Sequence, residues 1–256
     1  MMISAVLTLI AASSSAGWFG NDCDYTAPRS ASAPVAGATR IVIIARAGEL
    51  RVTGARGVSE VRASGKACTS DRDMLSKMTL TATRSGSEVR IEANIPESDF
   101  WDGNRTLDFE VTVPSDIPLR IDDTSGEMTV ENVGPSDIHD SSGSLHVRNV
   151  TGDLSIDDSS GEITVEHVSG HVNIVDSSGS IDVDDAGSVD IPEDGSGSVD
   201  IRHVRRDVVI GSKGSGAVSV SDVGGDFTVR HKGSGSIDYE RVAGRVDIPR
   251  RNRDRD

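Results

Sequence analysis

Residues 140–150 read DSSGSLHVRNV, residues 158–168 DSSGEITVEHV and residues 176–186 DSSGSIDVDDA. Three copies of one pattern follow each other 18 residues apart, and they belong to a longer series. The series glycines are Gly126, Gly143, Gly161, Gly179, Gly197, Gly216 and Gly235, with steps of 17, 18, 18, 18, 19 and 19. Each follows a serine: Ser125, Ser142, Ser160, Ser178, Ser196, Ser215 or Ser234. Two residues on stands Met128, Leu145, Ile163, Ile181, Val199, Val218 or Ile237, and four on stands Val130, Val147, Val165, Val183, Ile201, Val220 or Tyr239. Seven copies in phase are an internal repeat, and such a period sets the architecture before any single element does.

Apolar residues at alternate positions mean short strands with one buried face, turned at corners by Gly, Ser, Asp and Asn. The apolar columns keep their phase from copy to copy, which hairpins do not allow. One repeat therefore makes one coil of an all-β solenoid, with each residue stacked about 4.8 Å from its counterpart in the next coil. The right-handed preference of parallel crossovers makes this a right-handed parallel β-helix of about 18 residues per coil. Aromatic residues are only 3% of the chain, which suits a narrow interior filled by Val, Ile and Leu.

Outward from the repeats, residues 122–249 form the seven-repeat solenoid and residues 38–121 the N-terminal coils with their cap. Leu50 and Val52 start a coil that Val58, Val61 and Ala63 continue. Asp71 to Met78 is a short helix. Met78 to Thr83 and Glu88 to Ile95 flank Arg84-Ser85-Gly86-Ser87 as a hairpin, and 107–113 is a strand that stops at Pro114. The hairpin and helix cover the otherwise open first coil. Residues 17–37 form a flexible lead-in, and residues 250–256 (RRNRDRD) a disordered, solvated tail after Pro249.

Residues 1–16 carry an apolar stretch from Ala5 to Ala12, then Ser14 and Ala16 at the −3 and −1 positions, the pattern of a cleavable export signal. No Lys or Arg precedes the apolar stretch. Export places the protein in the periplasm or outside the cell, without a lipid anchor or membrane insertion. In an oxidising compartment Cys23 and Cys68 can pair as a disulfide. Acidic residues outnumber basic ones 41 to 26, a formal charge of −15, which argues against nucleic acid and anionic lipid as partners.

The start GELRVTG at residues 48–54, the short helix and hairpin, VTVP at 111–114 and the Ser-Gly-x-Ile-x-Val repeats resemble the bacterial "putative-adhesin" β-strand-repeat family. That resemblance covers residues 38–249. It implies an exported or tethered domain of the single-stranded right-handed β-helix type, of unknown function and with no catalytic motif to carry over.

Three columns bear on chemistry. Three residues before each repeat glycine stand Asp123, Asp140, Asp158, Asp176 and Asp194, then Lys213 and Lys232. As an exposed edge, the ladder Asp140, Asp158, Asp176, Asp194 would suffer mutual repulsion, relieved by salt or mild acid. It is also a candidate calcium ladder, against the plainer reading that each Asp accepts N–H bonds within its own turn. The serine column lacks a partner base in phase, so hydroxyls bonding to one another up the stack are expected rather than nucleophiles. The histidines (His139, His146, His167, His171, His203, His231) show no metal-ligand spacing, and His167 and His203 share a column two coils apart. No catalytic residue and no cofactor follows from these patterns. The expected role is a non-enzymatic envelope module, adhesin-like or a scaffold, whose partner is an envelope protein or glycan, with end-to-end or edge self-association open to it. The alternative is a polysaccharide-acting β-helix lyase or hydrolase, although such enzymes have longer coils, cleft-building loops and more aromatics.

Overall fold

A computed structural model describes residues 23–96 and 105–249. The signal segment, residues 17–22 and the charged tail lie outside these residues. The chain is a β-solenoid of about seven turns, about 18 residues apart. Every coil contributes one strand to each of two parallel faces. The first face runs through Gly126–Glu131, Gly143–Val150, 161–168, 179–186, Val199–Val204, Val218–Val223 and Ile237–Val242. Its register sets Val130, Val147, Val165, Val183, Ile201, Val220 and Tyr239 directly upon one another. On the second face Ile121, Ile138, Ile156 and Ile174 stack likewise. A register shift between Asn173 and Val175 absorbs Pro192, which has no N–H to give the ladder.

Both corners of the coil demand unusual backbone. At the first, the repeat glycines have φ between 96° and 148°, and a Cβ on Gly161 would overlap the carbonyl oxygen of Gly143 below it. At the second, Asn132, Asn149, His167, Asp185, His203, Asp222 and Arg241 all adopt left-handed φ of 51–59°. Asn and Asp tolerate that conformation better than most side chains do. The next residue in each coil (Val133, Val150, Val168, Ala186, Val204, Val223) turns back inward and is buried.

The N-terminal part departs from simple coiling. Its strands are β1 (Tyr25–Pro34), β2 (Arg40–Ile44), β3 (Leu50–Ala55), β4 (Glu60–Thr69), β5 (Thr79–Ser85), β6 (Glu88–Asn94), β7 (Arg105–Pro114), β8 (Leu119–Asp122) and β9 (Gly126–Glu131), with one helical turn, α1 (Arg72–Leu75), between β4 and β5. The β2–β3 coil pairs in parallel with β6–β7 on one side and with β8–β9 on the other. The first coil of the chain is thus second in the stack. Its continuation through Val61 and Ala63 is not a further parallel strand, because β4 turns back antiparallel to β7. Residues 25–34, expected as part of a loose lead-in, form β1, antiparallel to the full length of β4. Cys23 is disulfide-bonded to Cys68, with Cα atoms 5.6 Å apart, so β1 is covalently held to the end of β4. Antiparallel β5 finishes the second face beside β6. At the far end Tyr239 occupies the inward column and leans over Phe227, ring centroids 6.2 Å apart, placing aromatic bulk over the last aliphatic layer.

Inward and outward positions predict opposite mutational costs. Val165 is fully buried, whereas Thr164 points out. Val165→Asp should cost several kcal/mol, because a charge enters an aliphatic column, and Thr164→Asp about 0.5 kcal/mol or less. Thermal melts of the two variants check this; equal losses would show that the register is wrong.

Candidate functional site: two outer faces and a buried acidic column

The two outward faces and the second corner carry exposed charged groups. On the first face Asp182 and Asp184 contact one arginine, Arg202, and Asp200 and Glu166 lie close enough to act on Asp182. Arg202 donates to Asp182 at 2.9 and 3.2 Å and lies 3.9 Å from Asp184. Partial burial, first, and the like charges of Asp200, Asp184 and Glu166 raise the pKa of Asp182 against the pull of Arg202. Carboxylates outnumber the cation here, so the patch keeps a net negative field. Toward the C-terminal end the second corner carries its own charge ladder. His203 Nδ1 lies 2.7 Å from Asp184, and Arg241 binds Asp222 through two bonds of 2.6 and 2.8 Å. The hydrogen bond to Asp184 raises the His203 pKa, while that from Arg241 lowers the Asp222 pKa. His167, though in the same column, lies two coils from His203. His139 sits between Asp137 (3.3 Å) and Asp157 (3.8 Å) on the second face.

Two shallow grooves run along the coil corners. One, of about 520 Å³, is lined by Arg56, Ser115, Asp116, Asn132, Asn149 and Thr151. The other, of about 460 Å³, brings Arg40, Asp137, Asp153 and His171 together. Several of their polar groups are used within the fold. Asn149 donates to Asn132 at 3.1 Å, Asp153 accepts the His171 N–H at 2.8 Å, and His171 Nδ1 meets Ser188 Oγ at 2.9 Å.

The serine column is brought together as expected but bonded differently. Ser142, Ser160 and Ser178 donate to the carbonyl oxygens of Thr124, Ser141 and Ser159 in the coil below, at 3.2–3.3 Å, not to one another. A backbone carbonyl at the tight corner lies in the hydroxyl's path before the next serine does.

The acidic column requires a larger correction. It is no exposed edge: Asp123, Asp140, Asp158, Asp176 and Asp194 are only 1–6% accessible. In the first four, Oδ1 accepts an N–H of its own turn, from Thr124 (2.7 Å), Ser142 (3.3 Å), Ser160 (3.2 Å) and Ser178 (3.0 Å). The turn-capping reading is the observed bonding. Burial is the leading cause that raises all five pKa values, Asp123 to about 7 and Asp176 to about 6, with repulsion from column neighbours a secondary cause in Asp123, Asp158 and Asp176. Salt screens exposed charges and reaches such a column weakly, so the expected relief by salt loses its basis. Lys213 ends the run. Its ammonium lies 2.7 Å from Asp194, with both side chains buried, and donates to the carbonyls of Gly197 (2.8 Å) and Ser215. Among the described residues, no three His, Cys, Asp or Glu side chains form a metal-holding group.

No family model matches the chain, and neither does any curated protein. Among solved structures it is similar to a "putative cell adhesion protein" from Clostridium sporogenes (13% identity, 88% of this chain and 99% of that one, TM-score 0.34). It is also similar to a "putative adhesin" from Bacteroides fragilis (12%, 88% and 98%, TM-score 0.41) and a "putative lipid binding protein" from Parabacteroides distasonis (13%, 86% and 96%, TM-score 0.43). Likenesses at that level decide neither family nor function.

The Asp194–Lys213 pair predicts a non-additive result. Lys213→Met leaves a buried carboxylate unpaired and should cost about 3–5 kcal/mol near pH 8. Adding Asp194→Asn should restore most of that loss. Chemical denaturation of both variants measures the coupling.

Proposed function

We propose that this chain is an exported, non-enzymatic β-solenoid module of the cell envelope, working as an adhesin-like or scaffold protein through its outer faces. The observation that supports this most is the contrast between the two sides of each strand. Inward residues repeat almost unchanged from coil to coil, as Val130 through Val220 do. Outward residues at one position change freely: Thr129, His146, Thr164, Asp182, Asp200, Ser219 and Asp238. The core builds a straight support, and the chemical variety is presented on rigid, hydrogen-bonded strands. A rigid face binds without paying for its own ordering. The patch of Glu166, Asp182, Asp184 and Asp200 favours a partner with a basic surface, such as an envelope protein.

Capture of envelope proteins on the immobilised mature chain tests this. The expected outcome is retention of a basic envelope protein that weakens as salt rises and falls roughly tenfold for Asp182→Lys with Asp200→Lys, while Thr228→Ser on the other face leaves it unchanged. Depolymerisation of an envelope polysaccharide by the same preparation, lost on one carboxylate substitution, would replace this reading with an enzymatic one.

A further inference from the structure

The inward carboxyls are costly to explain as anions. In Asp123, Asp140, Asp158 and Asp176 the second oxygen, Oδ2, is buried and has no hydrogen-bond partner. A buried anion with an unpaired oxygen carries the full penalty of leaving water, and four of them one strand spacing apart would add mutual repulsion. Among the described residues, the only other charged group that acts on these four from outside the column is Asp157, beside Asp158, and it too is acidic. Where the column does meet a cation, the chain supplies it covalently, as Lys213 on Asp194. Below that pair no basic side chain among the described residues balances the charge.

We propose that Asp123, Asp140, Asp158 and Asp176 form a buried proton-binding column that holds protons in the folded protein at mildly acid pH, where exposed carboxylates are ionised, with the Asp194–Lys213 ion pair at its end. The protonated oxygen is Oδ2, because Oδ1 is already an acceptor for the turn N–H. A protonated Oδ2 no longer carries the charge that burial disfavours. Each proton therefore removes an unpaired buried anion. No charge is buried unbalanced, and every turn keeps its cap.

The column makes folding stronger in mild acid. A carboxyl with an unfolded pKa of about 3.9 and a raised folded pKa binds protons more tightly when folded. Its contribution is greatest below about pH 4. It declines as pH rises through the folded values, about 6 for Asp176 and about 7 for Asp123, and is level beyond them.

Infrared difference spectroscopy on the intact protein tests this through the C=O stretch of protonated carboxyls, resolved from the carboxylate band. At pH 6.5 the wild-type protein should show that band, Asp176→Asn should diminish it, and Asp238→Asn, exposed on the first face and away from the column, should not. Because asparagine mimics the neutral acid at every pH, the melting temperature of Asp176→Asn should vary less between pH 5 and pH 8 than that of the wild type, which should fall by roughly 5 °C or more. A wild-type spectrum without protonated carboxyl at pH 6.5 would overturn the proposal, whether or not the variant folds. So would saturable stabilisation by calcium, beyond equal magnesium, at pH 8, since the column would then be ionised around a metal.

Discussion

Stacking in register is the constraint from which the rest of the structure follows. When one coil lies about 4.8 Å above another, each side chain meets a near copy of itself. For aliphatic residues this is favourable, since Ile upon Ile packs without voids and needs no bulky aromatic. For other chemistries it is demanding. A glycine must stay a glycine, as Gly161 over Gly143 does, because the carbonyl beneath occupies the space of a side chain. A carboxyl set upon a carboxyl must be diluted by solvent, paired with a cation or neutralised by a proton.

The protein uses all three solutions. On the first face Asp182 remains in contact with water and shares Arg202's charge with Asp184. At the top of the inner column Lys213 pairs with Asp194 in a dry setting. Below it the carboxyls have only their own turn N–H groups, which satisfy one oxygen of two. The same residue type thus serves as a surface charge, an ion-pair partner and a turn cap, according to which way one corner points it.

Ends pose the opposite difficulty, since a terminal coil has only one neighbour. The N-terminal end is closed by departing from the repeat: β4 and β5 run antiparallel, β1 adds a further strand, and a disulfide holds it. Placing β2–β3 between β6–β7 and β8–β9 also fastens the cap to the solenoid, because the earliest coil cannot leave the stack without opening two interfaces. The opposite end relies on Tyr239 and Phe227 for bulk and on Asp238 and Glu240, outward on the last strand of the first face, for charge that discourages further pairing. Between these ends the uniform interior leaves the outer positions free to vary, and the proposed interaction role depends on that freedom.

The amino-acid sequence by itself determined the period, the two apolar columns and the all-β class, because a coil of about 18 residues writes its spacing directly into the chain. It also determined that the serines and aspartates return at a corner, since tight turns select small and hydrogen-bonding residues. Whether Asp176 faces water or core was not legible, because strand alternation stops at the corner and the pattern no longer reports a side. The left-handed column from Asn132 to Arg241 was equally hidden: the sequence shows that His167 and His203 share a column, but the backbone common to all seven residues appears only when seven coils are superposed in space. The order of stacking at the N-terminal end and the pairing of β1 with β4 were decided by tertiary structure alone. Antiparallel and parallel neighbours leave the same alternation in a single strand, and only the closing of the open end selects between them.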